Sequence, residues 1–303
     1  MAHNIAKNAV ERTSEALLGK VFPDLGKVAG EAARAVFSAV VRTGSALVTD
    51  LAAAMDGDAT SRKGRQEKVS GWLARYDFAS PVHGHLWNEG VTLVGRDTVI
   101  AVDSGDISKE FGGAGMEGME MGYDASRGVV AMGHSLLCAA VVARRRAAPL
   151  RLALLKGRKG LPDAEASLFD AIVGAVGDDG ILAHDRGFDS KGFVCHAIRS
   201  GHRAVVRAKE LSRDVFGTGR SIDDDMADAP CVRTALRSPA RRVEATVRWR
   251  TGFFPDGDAH LPVLVVSSTF NGTTLHLYAL NLHLRSTLPT LFNYSDNFLK
   301  NEC

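Results

Sequence analysis

Two short apolar runs in this chain each end on an aspartate, and carboxylates placed that way could do metal or acid–base chemistry. Val99-Ile100-Ala101-Val102 delivers Asp103, and Ile181-Leu182-Ala183-His184 delivers Asp185. Both runs have the length and apolar character of buried strands. A carboxylate at the tip of a core strand is held rigidly, as a metal ligand or a general acid or base must be. The same residue type also ends strands and caps turns without further purpose. Spacing alone leaves both readings open.

The neighbours of the two acids sort by ordinary rules. A polar, glycine-rich excursion follows Asp103, in which Asp106 and Lys109 are expected as turn residues. Gly112-Gly113-Ala114-Gly115 is followed by neither a Lys-Ser/Thr pair nor a helix start, so it is no phosphate-cradling loop. His184 is expected to point away from Asp185, because successive strand residues face opposite sides. Arg186 suits a phosphate and an ion pair equally.

The elements that must position these acids alternate in type. Gly128 to Gly133 and Leu150 to Leu155 follow as strands, with Arg151 facing out. Asp163 is expected to cap a helix with Leu168, Ile172, Ala175 and Val176 on one face. Asp189-Ser190 can cap a second helix, closed by Gly201. Ala204-Val205-Val206 is a fifth strand. Pattern alone gives a mixed α/β sheet. Residues 8–56 are alanine-rich and helical in pattern, as a small DNA-binding domain or an ordinary bundle would be. Arg62, Lys63, Arg65 and Lys68 form the densest basic stretch, on a helix that could lie along a phosphate backbone or simply face solvent.

Composition sets the outer bounds. The 303 residues are enough for one large domain or two modest ones with a real core. A net charge of +2 with 24% charged residues demands no nucleic-acid partner by itself. Four scattered cysteines without a CxxC pair argue against a zinc finger and give no disulfide framework. No run is long and apolar enough to span a bilayer, and the expectation is a soluble cytoplasmic protein with no membrane partner.

Taken together, VIAVDSGDISK and AHDRGFDS resemble the DDE transposases of bacterial insertion sequences, in the subgroup with a β-rich insertion. The resemblance runs from about Ser61 to Asn281, and DRGFDS is its more specific half. It implies a ribonuclease H-like α/β fold, a mixed sheet with flanking helices. It makes Asp103 and Asp185 the first two catalytic and metal-ligating acids. It implies a helical DNA-binding region over residues 1–90, a catalytic core over 91–209 and a β-rich insertion over 210–284. The implied cofactor is a pair of Mg2+ ions, with Mn2+ as a substitute, because hard cations take oxygen ligands. The implied partners are double-stranded DNA at transposon ends and a second copy of the chain on that DNA, in the nucleoid.

One part of the pattern is missing. The family supplies its third acid from a helix reading Tyr-x-x-Arg-x-x-x-Glu-x-x-x-x-x-x-Lys, and neither Tyr278 nor Tyr294 has an Arg three residues on. Glu244 and Glu302 are the alternatives, one in a strand-like alternation and one beside the last residue. Residues 285–303 also change composition, with no Ala or Gly. The expectation is a C-terminally truncated transposase, inactive as it stands, with apolar surface left bare where the helix would lie. The alternative is a non-catalytic DNA-binding fragment that inhibits an intact transposase.

Overall fold

The computed structural model describes residues 12, 15–23, 25–55, 61–108, 118–124, 128–143, 146–155, 161–237, 242–256, 259–270 and 273–282. Lys109, Gly112-Gly113-Ala114-Gly115, Tyr294, Glu302 and the atypical stretch 285–303 lie outside them. The chain divides into two compact units, Met1–Asn88 and Glu89–Cys303.

The first unit is helical: α1 (15–21), α2 (Lys27–Thr43), α3 (Val48–Ala54), α4 (Arg62–Arg75) and the start of α5 (Ala79–Thr92). Helical spacing puts Ala32, Ala33, Val36 and Ala39 on the buried side of α2. Phe22 meets the edges of Phe37 and Phe78 at 5.8 and 5.9 Å, sealing a cluster with Leu18, Val21 and Ala33. A second cluster joins α2, α3 and α4 through Val36, Ala39, Leu51, Ala52 and Val69. Gly44, at φ +63°, ends α2 in the left-handed conformation that favours glycine. Among the described residues no single helix is long and apolar enough to cross a membrane.

Among the described residues, the second unit is built on one ten-stranded mixed sheet. Its strands are β1 (Val99–Ser108), β2 (Glu120–Asp124), β3 (Val129–Ala143), β4 (Arg146–Leu154), β5 (Ile181–His184), β6 (Ala204–Arg207), β7 (Cys231–Arg237), β8 (Arg242–Asp256), β9 (Ala259–Phe270) and β10 (Thr273–Leu280). β1 runs antiparallel to β3 and parallel to β5, and β6 runs parallel to β5. With β4 antiparallel on β3, the order β4-β3-β1-β5-β6 is the ribonuclease H-like order. The α/β fold class expected from the sequence is therefore present.

β1 is longer than the sequence suggested. Asp103 lies at its middle, because Ser104 to Ser108 go on to pair with Gly133 to Leu137 of β3. Asp106 is accordingly a strand residue, not a turn residue, and its Oδ1 accepts from Ser135 Oγ at 2.8 Å. β4 likewise begins at Arg146 rather than Leu150, across a bulge in β3 at Ala139/Ala140.

The strands of the segment 210–284 do not form a separate layer. β10 pairs antiparallel with β6, and β9, β8 and β7 continue the same sheet outward. The short helix α8 (Ile222–Ala227) precedes these strands. Where the loop after β6 touches β8, only a glycine fits. A Cβ on Gly252 would collide with Val215 O, which accepts the Phe253 N–H at 2.6 Å.

Two helices stand on the His184 side of the sheet. α6 (Leu161–Val176) starts two residues before Asp163, which therefore sits in the first turn and is not the cap. α7 (Lys191–Arg199) is capped by Ser190, whose Oγ accepts the Phe193 N–H at 3.2 Å. Its other end is closed by Gly201 at φ +74° and by Asn281. The Asn281 side chain donates to Ala197 O, Ile198 O and His202 O at 2.9–3.2 Å, from a backbone at φ +54°. Phe169 of α6 and Phe193 of α7 bracket His184 on that side.

The opposite side carries Asp103 and an apolar row. Val99, Ile181, Ala183, Val205, Val247, Val266, Leu275, Leu277 and Ala279 are each 8% exposed or less. The expectation of a bare apolar face is not met at these residues.

Candidate active site

Register places the two acids together. Val102 pairs with His184 across the parallel strands β1 and β5, so Asp103 and Asp185 are the next residue on each. Neighbouring strands lie about 4.8 Å apart. Burial, then the charge of Asp185, pushes the Asp103 carboxyl above its usual range, while the Ser104 N–H pulls it down. Asp103 is exposed as a residue, so the like charge beside it is the firmer of the two causes. On its other flank Asp103 faces Cys138 of β3, whose thiol is raised by burial and then by the Asp103 charge.

Asp185 is half-buried, and its Oδ1 is sealed from solvent with no hydrogen-bond partner. Arg207 Nη1, at the end of β6, lies 3.6 Å from it, beyond hydrogen-bonding range. A buried carboxylate oxygen without a donor is costly unless a cation completes it. Two carboxylate groups side by side, one with an unsatisfied oxygen, fit a hard divalent ion. Such an ion, when bound, supplies Lewis-acid polarisation and a lowered pKa for a ligated water or hydroxyl. The chain's own part is to hold two carboxylates apart at strand spacing and to keep a guanidinium beside them.

His184 points away from this pair, as expected. It packs 4.8–4.9 Å from the rings of Phe193 and Phe188, and neither ring nitrogen has a partner. Burial lowers its pKa to about 3, so it is a neutral core histidine. Arg186 opens a 3-10 turn, Arg186–Phe188, and is exposed. Gly187 in that turn comes close to β1, where an added Cβ would sit 3.6 Å from Ser104 Oγ.

No third acid joins them among the described residues, where no three His, Cys, Asp or Glu side chains are grouped as a metal cage. Glu244 is on β8, opposite Ala235 of β7. That strand is five places from β1 in the sheet, about 24 Å at strand spacing, so Glu244 cannot complete the pair.

The four basic residues of α4 are not equivalent. Arg65 is half-buried, and its Nε donates to Ala52 O at the end of α3 at 2.9 Å. Lys63 and Glu67 form an exposed pair at 3.8 Å, and Lys68 lies 4.9 Å over the Trp72 ring. Lys63 and Lys68 point about 140° apart around the helix, so one basic face does not form. Arg62 is exposed in the first turn.

Sequence reasoning missed two groups. Arg207 was visible only as the polar end of the AVVR run, a place where a strand leaving the core puts any charged residue. Arg213 and Tyr278 are far apart in sequence from Asp189, and only the fold gathers them.

No known family model matches this chain, and no curated protein matches it. Among solved structures it is similar to a piggyBac transposase, seen by cryo-EM in a synaptic complex with hairpin DNA, with 13% identity and a TM-score of 0.41. The match covers 98% of this chain, which spans only 59% of that one. Similarity at this level does not assign a function.

Proposed function

We propose that this chain is a DNA transposase of the DDE type, from an insertion sequence, whose complete site cuts and joins DNA at element ends with Mg2+ or Mn2+. The observation that carries the reading is the juxtaposition of Asp103 and Asp185 on adjacent parallel strands, with Asp185 Oδ1 unsatisfied. Double-stranded DNA is the substrate, the working form is a dimer on that DNA, and the setting is the cytoplasmic nucleoid. A second reading, a fragment that occupies DNA and inhibits an intact enzyme, is favoured by the absence of a third acid near the pair among the described residues.

Metal binding is the first test. Mn2+ titration followed by electron paramagnetic resonance should show one weak site. Asp103→Asn and Asp185→Asn should each weaken it by about tenfold or more, since a charged ligand is replaced by a neutral one. Asp103→Asn should also raise Tm slightly, because it relieves the repulsion that now raises the Asp103 pKa. Affinity unchanged in both variants would refute the site.

DNA binding is tested separately. Replacing Arg62, Lys63 and Lys68 with glutamine should flatten the dependence of log K on log salt by about 0.9 for each phosphate no longer neutralised. Arg65→Gln should instead lower Tm, because it removes the bond to Ala52 O. A salt slope that stays the same in the triple variant would return α4 to an ordinary solvated helix.

A further inference from the structure

Four residues beyond Asp185 lies a second aspartate whose surroundings are the reverse of its own. The Asp189 side chain is completely buried and fully satisfied. Its Oδ2 accepts the backbone N–H groups of Lys209 and Glu210 at 2.6 and 2.9 Å. Its Oδ1 takes the Arg213 guanidinium, which also donates to the Asp189 carbonyl at 3.3 Å. Arg213 in turn donates to Tyr278 Oη on β10 at 3.3 Å and lies 4.8 Å over the Phe254 ring of β8.

These contacts close a circuit through the candidate site. Asp185 faces Arg207, the last residue of β6, and Asp189 grips Lys209 just beyond it. Between the two aspartates runs a single 3-10 turn, with the Phe188 N–H donating to Asp185 O at 3.0 Å. Phe188 itself is fully buried against His184 and Phe193. Both carboxylates therefore hold the same short exit of β6, one from the solvent side and one from within. The ring contains few freely rotating bonds. Releasing Asp189 would let the turn and the β6 exit move independently, and Asp185 sits at their junction.

We propose that Asp189 is a positioning residue for Asp185, acting through the turn Arg186–Phe188 and the β6 exit, with Arg213 and Tyr278 of the insertion side as its supports. The inference rests on the reading that Asp103 and Asp185 hold a divalent cation. It makes the segment 210–284 part of the metal site's rigidity, through Arg213 and Tyr278.

The experiment measures Mn2+ affinity by electron paramagnetic resonance, well below Tm, alongside amide hydrogen exchange at Lys209 and Glu210. Asp189→Asn keeps the side-chain shape and removes the charge. It should weaken Mn2+ by about tenfold, the range seen when the support of a metal ligand is removed, and speed exchange at both amides. Excess Mn2+ should restore occupancy. Faster exchange with Mn2+ affinity unchanged would overturn the proposal and leave Asp189 a purely structural ion pair. Should Asp189→Asn fail to fold, Tyr278→Phe decides, since it removes only one acceptor from Arg213. A several-fold loss of Mn2+ affinity in the folded variant supports the proposal, and none overturns it. A wild-type chain that binds no Mn2+ would defeat the metal-site reading itself and this inference with it, an outcome distinct from either.

Discussion

Offered end DNA of the proposed element, with Mg2+ or Mn2+, the 303-residue chain is expected to nick no faster than its Asp103→Asn variant. Phosphoryl transfer depends on positioning and on neutralising charge as the attacking and leaving oxygens exchange places. Two carboxylates can hold one ion that keeps most of its waters. A second ion needs a further acid, and the described residues bring none to the pair. Losing that ion's stabilisation of the leaving oxygen removes several kcal/mol, and each ~1.4 kcal/mol is tenfold in rate. The shortfall is several orders of magnitude. Glu244→Gln should change nothing, because Glu244 lies across the sheet. Metal-dependent nicking above the Asp103→Asn background would overturn this expectation and turn attention to Glu302, outside the described residues.

Between about pH 4.5 and 6.5 two opposed contributions to stability should largely offset one another, and two single substitutions should tilt the profile in opposite directions. Burial holds His184 at about 3 instead of its usual 6.5. The folded chain then carries fewer protons than the unfolded one below pH 6.5, so stability present above that pH is lost as acid is added. Burial also raises the Glu165 carboxyl from 4.5 to about 7. There the folded chain carries more protons, and stability present below pH 4.5 is lost as pH rises through 7. Each effect is worth on the order of 1 kcal/mol per pH unit, and in the shared window they cancel. Glu165→Gln should expose a stability that falls with acid from about pH 6.5, reinforced by His202, which burial also lowers. His184→Leu should leave the opposite slope, weakened to the extent that His202 opposes it. Urea midpoints at about pH 4.5, 5.5 and 6.5 measure both, and a flat profile in both variants would remove the account.

The two strands that carry the acids were legible in the sequence because buried strands advertise themselves. Val99 to Val102 and Ile181 to His184 are short apolar runs, and each hands over to a carboxylate. The core order did not follow from pattern, which gives only a mixed α/β sheet; it came with the family resemblance. What failed was the length of β1. Ser104, Asp106 and Ser108 look like a turn, yet they pair with Leu137, Ser135 and Gly133 of β3, and pairing outweighs propensity there. The uniform reading of Arg62, Lys63, Arg65 and Lys68 failed for another reason. Sequence shows charge but not direction, and Arg65 turns inward to a helix terminus with free carbonyls. The Asp189 network was invisible because its partners come from segments 20 or more residues away. Only the identity of Asp189 was on show, and a helix cap explained it well enough.

The junction of β6 with β10 has a consequence for how the chain acquires its shape. Leu280 pairs with Ala204, and these partners are separated by roughly 75 residues of chain, a non-local pairing of the kind that slows folding. In the first unit, by contrast, α2 packs on α3 and α3 on α4, each on the next helix in sequence. During synthesis at about 5–20 residues per second, β6 would therefore wait on the order of several seconds with one edge unpaired. Throughout that interval an open strand edge is offered to any other nascent chain. Aggregation on the ribosome should accordingly respond to how fast residues 208–280 are translated, while the helices before residue 88 form regardless.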